Sequence, residues 1–328
     1  MQNKIRKIIK GHCHKEIAQI NRIETGLFNK TYIITLKEKL FKLNGKEVNS
    51  PKELILRISP RDDAGFLFYE RNMMKQEPKI HKLVLDLTNI PIPEIYVFDK
   101  SRKIIDRNYL IMERLNGTAL SRAYWLNSNE RNKIVRKIGE YLRSIHNIHA
   151  KRFGYLGPHR PMKPQSSWWE AFKIMWSKMI QGIYEYGFYS ESEKLRYIGL
   201  LEEKRRAFRT RKKISSCLLH MDIWAQNILV NKNGIITGIV DWDRAVWGDP
   251  EIEYAVLDYC GISKPSFWEG YGLQRRKDHA TEVRDLFYLL YEHQKYIPIN
   301  FLRGNDEKKA QRYTRECKQL FRKLERKK

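Results

Sequence analysis

The chain of 328 residues carries a formal net charge of +25, and 42% of its residues are hydrophobic. That composition supports a sizeable buried core and excludes a disordered chain, and no apolar run is long enough to cross a bilayer. The N-terminus is basic, but no apolar leader segment follows it, and the four cysteines are far apart. We therefore expect reduced thiols and a cytoplasmic protein without membrane contact.

The basic residues are spread along the chain and form no recognisable binding motif. They are frequent in three stretches: Lys4–Lys52, Lys204–Lys213 and Lys308–Lys328. Such charge indicates either a solvated surface or a polyanionic partner. Because no arginine-rich repeat, zinc knuckle or aromatic-basic RNA motif accompanies it, we expect a solvated surface and no nucleic-acid partner.

The first part of the chain has the pattern of a sheet. Short apolar runs predict four strands, with turns between the first two at Asn44-Gly45 and Asn49–Pro51. The predicted strands are Tyr32–Leu36, Leu54–Ile58, Ile95–Phe98 and Tyr109–Met112. Helical spacing predicts one helix over Phe68–Leu83, and the prolines of Ile90–Pro93 enforce an extended segment.

After Gly117 the pattern becomes helical. Helices are predicted over residues 128–148, 166–186, 190–211 and 282–296 and in the tail from Asn305. One β-like segment, Asn227–Val240, interrupts them. The predicted class is therefore α+β, with two lobes: an antiparallel-sheet N-terminal lobe of residues 1–113 and a mainly helical C-terminal lobe of residues 114–328.

The β-like segment predicts a hairpin with polar residues at its open end. Asn233-Gly234 between two apolar runs is a strong signal for a two-residue turn. That turn places Lys232 opposite Ile235 and, counting back, Asn227 opposite Val240. Because paired Cα atoms lie about 5 Å apart, Asn227 and Asp241 are expected to leave the hairpin as neighbours.

These residue types suit the transfer of a phosphoryl group. Magnesium prefers hard oxygen ligands, and Asn227 and Asp241 supply two. Asp222 precedes Asn227 by five residues and can fold back over the same point, where a carboxylate can orient an acceptor hydroxyl and take its proton. His220 is expected to be a hydrogen-bonding residue of this loop and not a proton carrier.

The motifs His220–Asn227 and Asp241–Asp243 resemble those of the aminoglycoside phosphotransferase and choline kinase-like family, relatives of the protein kinases. The resemblance implies that Asp222 is the catalytic aspartate and that Asn227 and Asp241 bind the metal. Asp243 matches a second acidic position often present in the family. Glu253 matches the acidic residue that supports the catalytic loop, although Met221 replaces the usual glycine between histidine and aspartate.

The resemblance extends upstream to the nucleotide site. Residues Gly26 to Tyr32, which include Asn29, resemble the short turn that covers the nucleotide phosphates. Arg57 matches the basic residue that meets those phosphates, and Glu70 matches its ion-pair partner. Tyr109–Glu113 resembles the hinge strand, so the backbone at Glu113 is expected to contact the base.

The family implies a protein kinase-like fold and an enzyme that uses Mg²⁺ and ATP or GTP. The expected partners are that nucleotide and a small-molecule hydroxyl acceptor, either aminoglycoside-like or of another kind. Four acids follow the metal motif where the family's acceptor pocket tends to lie: Glu251, Asp258, Glu269 and Asp285. Two alternatives remain. The first is a fructosamine or other sugar-amine kinase, because Asp222-Ile223-Trp224 is similar to fructosamine kinases. The second is a protein that binds a nucleotide or polyanion without turnover.

Overall fold

A computed structural model describes residues 1–26, 28–39, 42–43, 46–47, 52–62, 65–209, 215–275 and 277–327. The predicted turns at Asn44-Gly45 and Asn49–Pro51 lie outside these ranges, as does the end of the helix predicted over residues 190–211. The elements up to the last strand of the first sheet are α1 (Gln2–Cys13), β1 (Ile17–Ile23), β2 (Lys30–Leu36), β3 (Lys42–Leu43), β4 (Lys46–Glu47), β5 (Glu53–Ile58), α2 (Glu77–Leu87), β6 (Ile95–Asp99) and β7 (Tyr109–Glu113).

Within the described residues the N-terminal sheet is antiparallel, in the order β1-β2-β5-β7-β6. Strand β2 buries Tyr32, Ile34 and Leu36, the alternation that a strand with one covered face requires. Helix α1 covers that face with an apolar stripe that includes Ile5 and Ile8. Helix α1 was not predicted from the sequence, because its apolar residues are interspersed with lysines and arginines.

The helix predicted over Phe68–Leu83 is wrong in its bounds. The chain forms turns and a short 3-10 segment up to Gln76, and α2 begins only at Glu77. Pro78 explains the difference: proline fits the first turn of a helix, but inside a helix it lacks the N–H and clashes with the preceding turn. The helix therefore starts immediately before the proline.

The remaining elements form the helical part of the molecule. They are β8 (Thr118–Ala119), α3 (Ser128–His146), β9 (His149–Ala150), α4 (Trp168–Glu185), α5 (Glu191–Glu203), α6 (Arg206–Arg209), β10 (Ser216–Leu219), β11 (Ile228–Val230), β12 (Ile236–Ile239), β13 (Val246–Gly248), α7 (Pro250–Tyr259), α8 (Pro265–Tyr271), α9 (His279–Leu302) and α10 (Glu307–Glu325). Capping boxes begin α3, α4 and α5, each with a Glu three residues after the cap. The helices predicted from apolar spacing are present, but the one predicted over residues 190–211 is interrupted between α5 and α6. Helix α9 runs past the predicted end and through Pro298.

The short strands of the helical part position the functional loops. Strand β10 pairs with β9 and β13, whereas β11 pairs with β12 and β8. The loop from His220 to Asn227 therefore starts at the end of one small sheet and ends at the start of the other. A large apolar cluster that includes Phe172, Trp176 and Phe287 packs α4 against α9 beside that loop. The division of the chain at residues 113 and 114 remains a prediction.

Candidate active site

The hairpin has the predicted register at its open end. Ile228 pairs with Ile239, and the N–H of Val240 donates to the carbonyl of Asn227 over 3.0 Å. Near the turn the register differs from the prediction, because Val230 pairs with Ile236 and the pairing shifts between Leu229 and Val230. The loop is one residue longer than expected, and the bulge restores the predicted alignment before Asn227 and Asp241.

A local hydrogen-bond pattern explains the longer turn. The side-chain oxygen of Asn231 accepts from the N–H of Asn233 and of Ile235, over 2.9 and 3.0 Å. Asparagine readily makes such side-chain bonds to following backbone groups. Asn233-Gly234 therefore marks the position of the turn correctly, but the hydrogen bonds of Asn231 make the loop one residue longer than predicted.

Asp222 folds back onto Asn227 as predicted. The Nδ2 group of Asn227 donates to the backbone carbonyl and to Oδ2 of Asp222, each over 2.9 Å. His220 braces the same loop: Nδ1 accepts from the N–H of Asp222, and Nε2 donates to the carbonyl of Val240. Burial lowers the pKa of His220, so it is held as a neutral hydrogen-bonding ring, in agreement with the sequence analysis.

Glu253 supports the loop from below. One carboxylate oxygen accepts from the N–H of Met221, and the other bonds Nε2 of His146 over 2.7 Å. Met221 has a φ of 65°, a left-handed conformation that disfavours a side chain and explains why glycine is usual there. The contact with Glu253 holds this strained backbone in place.

The basic residue of strand β5 reaches across the cleft to the carboxylates after the hairpin. Nη2 of Arg57 lies 2.8 Å from Oδ1 of Asp241 and 3.1 Å from Oδ2 of Asp243. Asn29, in the turn that begins at Gly26, donates to the same oxygen of Asp243 over 3.0 Å. The structure thus brings Asn29 and Arg57, both predicted to contact the nucleotide phosphates, into one cluster with the two acids.

The predicted ion pair between Arg57 and Glu70 is wrong. Nη1 of Arg57 instead lies 2.5 Å from Oε2 of Glu77, in the first turn of α2. Glu70 precedes the helix; its carboxylate accepts from the N–H of Leu67 and pairs with Arg303 over 2.8 Å each. Since α2 starts at Glu77 and not near Phe68, the acid that faces Arg57 lies seven residues later than expected.

Two functional contacts were missed in the sequence. Arg244 lies next to the Asp241–Asp243 motif, and its Nη1 contacts Oδ1 of Asp222 over 2.9 Å. Gln76 donates to the backbone carbonyl of Asp243 over 2.6 Å. The position of Arg244 beside the motif could have indicated its role, whereas nothing in the sequence connects Gln76 with a loop so distant along the chain.

The cluster has more acids than bases, since within the described residues Glu77, Asp222, Asp241 and Asp243 face only Arg57 and Arg244. Burial raises the pKa of Asp222, while Arg244 opposes the change. Burial and the neighbouring Asp241 raise the pKa of Asp243 to about 7, against the effect of Arg57. Such shifted groups in a cleft are typical of functional sites.

Comparison with known proteins assigns the family. Residues 41–284 match the phosphotransferase enzyme family, APH. The chain belongs to this family. The match confirms the family resemblance of the active-site motifs, and the chain is therefore a phosphotransferase, an enzyme with a hydroxyl acceptor. Among curated proteins none matches its sequence.

Solved structures share the fold over nearly the whole chain. A protein assigned as a fructosamine-3-kinase from Haemophilus somnus 129PT superposes with a TM-score of 0.71 at 17% identity, covering 99% of this chain and 97% of that one. A thermostable mutant of aminoglycoside phosphotransferase APH(4)-Ia with AMP-PNP and hygromycin B gives a TM-score of 0.65 at 16% identity, over 97% and 98% of the chains. The gentamicin complex of APH(2'')-IIa gives 0.66 at 16% identity, over 97% and 96%. These likenesses confirm the predicted protein kinase-like fold.

The donor set of the phosphotransferase fits a magnesium ion. Asn227 uses its Nδ2 group to donate to Asp222, so its Oδ1 is the atom that could bind a metal, and the side chain of Asp241 is 40% exposed. No group of three or more His, Cys, Asp or Glu side chains within the described ranges is arranged to hold a metal. An amide oxygen and two carboxylates completed by phosphate oxygens are nonetheless a usual environment for magnesium.

Gly26 and Glu113 are the remaining predicted nucleotide residues. Gly26 precedes the turn that carries Asn29, and Leu27 between them lies outside the described residues. Glu113 ends β7, and its N–H donates to the carbonyl of Glu94 over 2.9 Å. That N–H is therefore already bonded, so a contact with the base through Glu113 would fall to its carbonyl.

Proposed function

We propose that this chain transfers the γ-phosphoryl group of ATP or GTP, with Mg²⁺, to a hydroxyl of a small molecule. The observation that carries the proposal is the joint placement of Asp222, Asn227, Asp241 and Arg57 at one end of the hairpin. Catalysis of this kind depends on positioning and charge neutralisation more than on covalent chemistry. The hydrogen bonds and ion pairs among these four residues hold the charged groups in position, as that kind of catalysis requires.

Asp222 is proposed to orient the acceptor hydroxyl and to take its proton. Both carboxylate oxygens are already fixed, one by Arg244 and one by Asn227. A carboxylate held in this way loses little conformational freedom when the acceptor binds. Its partial burial, at 17% exposure, leaves one face open to the cleft.

Asn227, Asp241 and Asp243 are proposed to hold Mg²⁺, which would supply positive charge to the phosphates as the transfer proceeds. Arg57 is proposed to meet the phosphates, with Gly26 and Asn29 covering them and Glu113 beside the base. Burial alone would lower the pKa of Arg57, but Glu77, Asp241 and Asp243 hold it above its usual value. The guanidinium therefore stays charged and can pass from the carboxylates to the phosphates.

The proposal is tested by titrating the full chain with ATP and GTP, each with and without Mg²⁺, and then by screening hydroxyl acceptors for phosphate transfer. Magnesium-dependent nucleotide binding and acceptor-dependent release of nucleoside diphosphate are expected. Asp241→Asn should lose the magnesium dependence, whereas Asp258→Asn should keep it, because Asp258 pairs with Arg275 and is not a proposed metal ligand. A chain that binds no nucleotide would overturn the proposal.

A ketosamine acceptor is the second candidate. Trp224 lies two residues after Asp222, and it is 43% exposed although tryptophan is usually buried. An exposed ring beside the proposed base is suited to stack on a sugar. Among the neighbours, the protein assigned as a fructosamine-3-kinase has a TM-score of 0.71. Phosphorylation of a fructosamine that is lost in Trp224→Ala would support this candidate over an aminoglycoside-like acceptor.

The cytoplasm remains the proposed compartment. All four cysteines are free thiols. Within the described residues, no helix combines the length and apolar character needed to cross a membrane.

A further inference from the structure

Four side chains form a continuous hydrogen-bond chain behind the catalytic loop. Glu253 of α7 accepts from the N–H of Met221 with one carboxylate oxygen and contacts Nε2 of His146 with the other. Nδ1 of His146 lies 2.7 Å from the hydroxyl of Tyr271, the last residue of α8. That hydroxyl in turn accepts from the hydroxyl of Tyr254 over 2.9 Å. The chain therefore connects the backbone of the catalytic loop with helix α8.

The hydrogen bonds of this chain run in a single direction. A carboxylate oxygen can only accept, so Nε2 of His146 carries a proton and donates to Glu253. In the neutral ring Nδ1 is then an acceptor, and the hydroxyl of Tyr271 donates to it. Because Tyr271 uses its proton in this way, its oxygen accepts from Tyr254, which is the direction that the structure shows. The two tyrosines thus select the tautomer of His146 that donates to Glu253.

The members of the chain are out of reach of bulk water. Glu253 is fully buried, Tyr271 is 1% exposed and His146 is 3% exposed. Burial also raises the pKa of Tyr271 and of Tyr254, so both hydroxyls keep their protons. Because water cannot take the place of a missing partner, the loss of one hydroxyl leaves a buried polar atom unsatisfied.

Two glycines let α8 approach α3 closely enough to complete the chain. A Cβ atom at Gly139 of α3 would collide with the carbonyl oxygen of Phe267 and would lie 2.7 Å from the backbone nitrogen of Tyr271. A Cβ atom at Gly270 of α8 would collide with the carbonyl oxygen of Arg136. A side chain at either position would therefore push the two helices apart and carry the tyrosine hydroxyl away from the imidazole.

Met221 is the residue on which the chain acts. Its φ of 65° is a left-handed conformation, which is strained for a residue with a side chain. The hydrogen bond from its N–H to Glu253 opposes a return to an ordinary conformation. Because Asp222 follows directly, the orientation of the Met221 backbone determines where the proposed base lies.

We propose that Tyr271 is a positioning residue for phosphoryl transfer. Its hydroxyl acts through His146 and Glu253 on the backbone of the catalytic loop, and Tyr254 supports it by fixing the direction of the hydrogen bonds. The proposal rests on the phosphotransferase function proposed above and adds a buried residue of α8 to it. Removal of this one hydroxyl should loosen the catalytic loop and slow turnover without weakening nucleotide binding.

The first test measures amide hydrogen exchange in residues 220–223 of the full chain by mass spectrometry, which does not depend on turnover. In Tyr271→Phe the amide of Met221 is expected to exchange about three- to tenfold faster than in the wild type, the range that one hydrogen bond supports. Tyr313→Phe is the matched control, since it breaks a pair of hydroxyls 2.7 Å apart between Tyr313 and Tyr259. It should leave exchange at Met221 unchanged.

A second variant reaches the same chain through the helix contact. Gly139→Ala should displace α8 and reproduce the faster exchange at Met221. Gly182→Ala in α4 is its control, because among the described residues no atom lies within 4 Å of the added Cβ beyond the helix's own backbone and chain neighbours. Thermal unfolding of all four variants establishes that each is folded under the conditions of the exchange measurement.

The second test measures Mg²⁺-dependent hydrolysis of ATP, with water as the acceptor. In Tyr271→Phe kcat is expected to fall about three- to tenfold, while KM for ATP stays at the wild-type value. Glycine adopts a left-handed φ without strain, so the effect of Tyr271→Phe on kcat should be smaller in a Met221→Gly background. A purely structural role of Tyr271 would give equal effects in both backgrounds.

Wild-type exchange at Met221 in a folded Tyr271→Phe chain would overturn the inference. Equal losses of kcat with and without Met221→Gly would overturn it as well. If the wild type binds ATP but does not hydrolyse it in water, the exchange measurements decide alone. Loss of nucleotide binding in the wild type would instead remove the proposed function, and the separate nucleotide titration distinguishes the two failures.

Discussion

Arg57 and Glu77 join strand β5 to helix α2 through a contact of 2.5 Å between Nη1 and Oε2. The other guanidinium nitrogen, Nη2, bonds Asp241 and Asp243 across the cleft. One cation therefore connects the N-terminal sheet, its helix and the proposed metal ligands. Bound phosphates would compete with the carboxylates for Arg57, and bound magnesium would compete with Arg57 for Asp241 and Asp243. Glu77 therefore fixes the position of the Arg57 guanidinium when the nucleotide is absent.

Replacing Glu77 should weaken nucleotide binding. In Glu77→Gln the guanidinium of Arg57 keeps Asp241 and Asp243 as its charged partners and is no longer held towards α2. We expect nucleotide affinity to fall about tenfold, equivalent to about 1.4 kcal/mol, as measured by calorimetry with Mg²⁺. Glu70→Gln, which removes the acid first predicted for this role, should leave nucleotide affinity near the wild-type value. The reverse pattern would restore Glu70 as the partner of Arg57.

Stability should fall in mild acid because of His81. Burial lowers its pKa to about 4, and Nδ1 bonds the carbonyl of Pro93 over 2.8 Å. Because the folded pKa lies below the unfolded one, the stabilisation is complete above about pH 6.5 and is lost as the pH falls towards 4. A shift of this size corresponds to about 3 kcal/mol.

Denaturant unfolding between pH 4 and 7 measures this loss. His81→Gln cannot gain a proton in the unfolded chain, so its stability should depend less on pH over this range. The exposed His279 is the control, and His279→Gln should retain the wild-type slope. Equal slopes for His81→Gln and the wild type would show that His81 does not cause the acid sensitivity.

The hairpin and the catalytic loop could be predicted because their contacts are local in sequence. Counting from Asn233-Gly234 placed Asn227 beside Val240, and a bulge preserved that alignment although the turn itself was longer. The predicted partner of Arg57 was wrong because the start of α2 depends on Pro78. The proline is visible in the sequence, but the prediction followed the apolar spacing instead. The pairing of Glu70 with Arg303 could not be predicted, since tertiary packing alone brings the C-cap residue of α9 to Glu70.

The basic surface should bind nucleic acid only weakly. Helix α10 and its C-cap residue expose basic side chains at helical intervals: Lys308, Arg312, Arg315, Arg322 and Arg326. Contacts of this kind with phosphates release counterions and weaken steeply as salt rises. We expect a dissociation constant for duplex DNA or RNA weaker than about 10⁻⁶ M at physiological salt, measured by fluorescence anisotropy. Tight, sequence-selective binding at that salt would instead support the polyanion-binding alternative.

Turnover should depend on Asp222. Its carboxylate lies between Arg244 and Asn227, so Asp222→Asn keeps the shape of the side chain but loses its charge and its ability to take a proton. General-base contributions are typically about 100- to 10,000-fold, and kcat should fall within that range. Nucleotide affinity should change little, because Arg57, Asp241 and Asn227 remain in place.

If Asp222 only braces the loop, stability and nucleotide binding would fall in step with activity. Thermal unfolding, nucleotide titration and turnover with an identified acceptor, all measured on this one variant, separate the two roles. Turnover near the wild-type rate in a folded Asp222→Asn chain would remove Asp222 from the proposed mechanism.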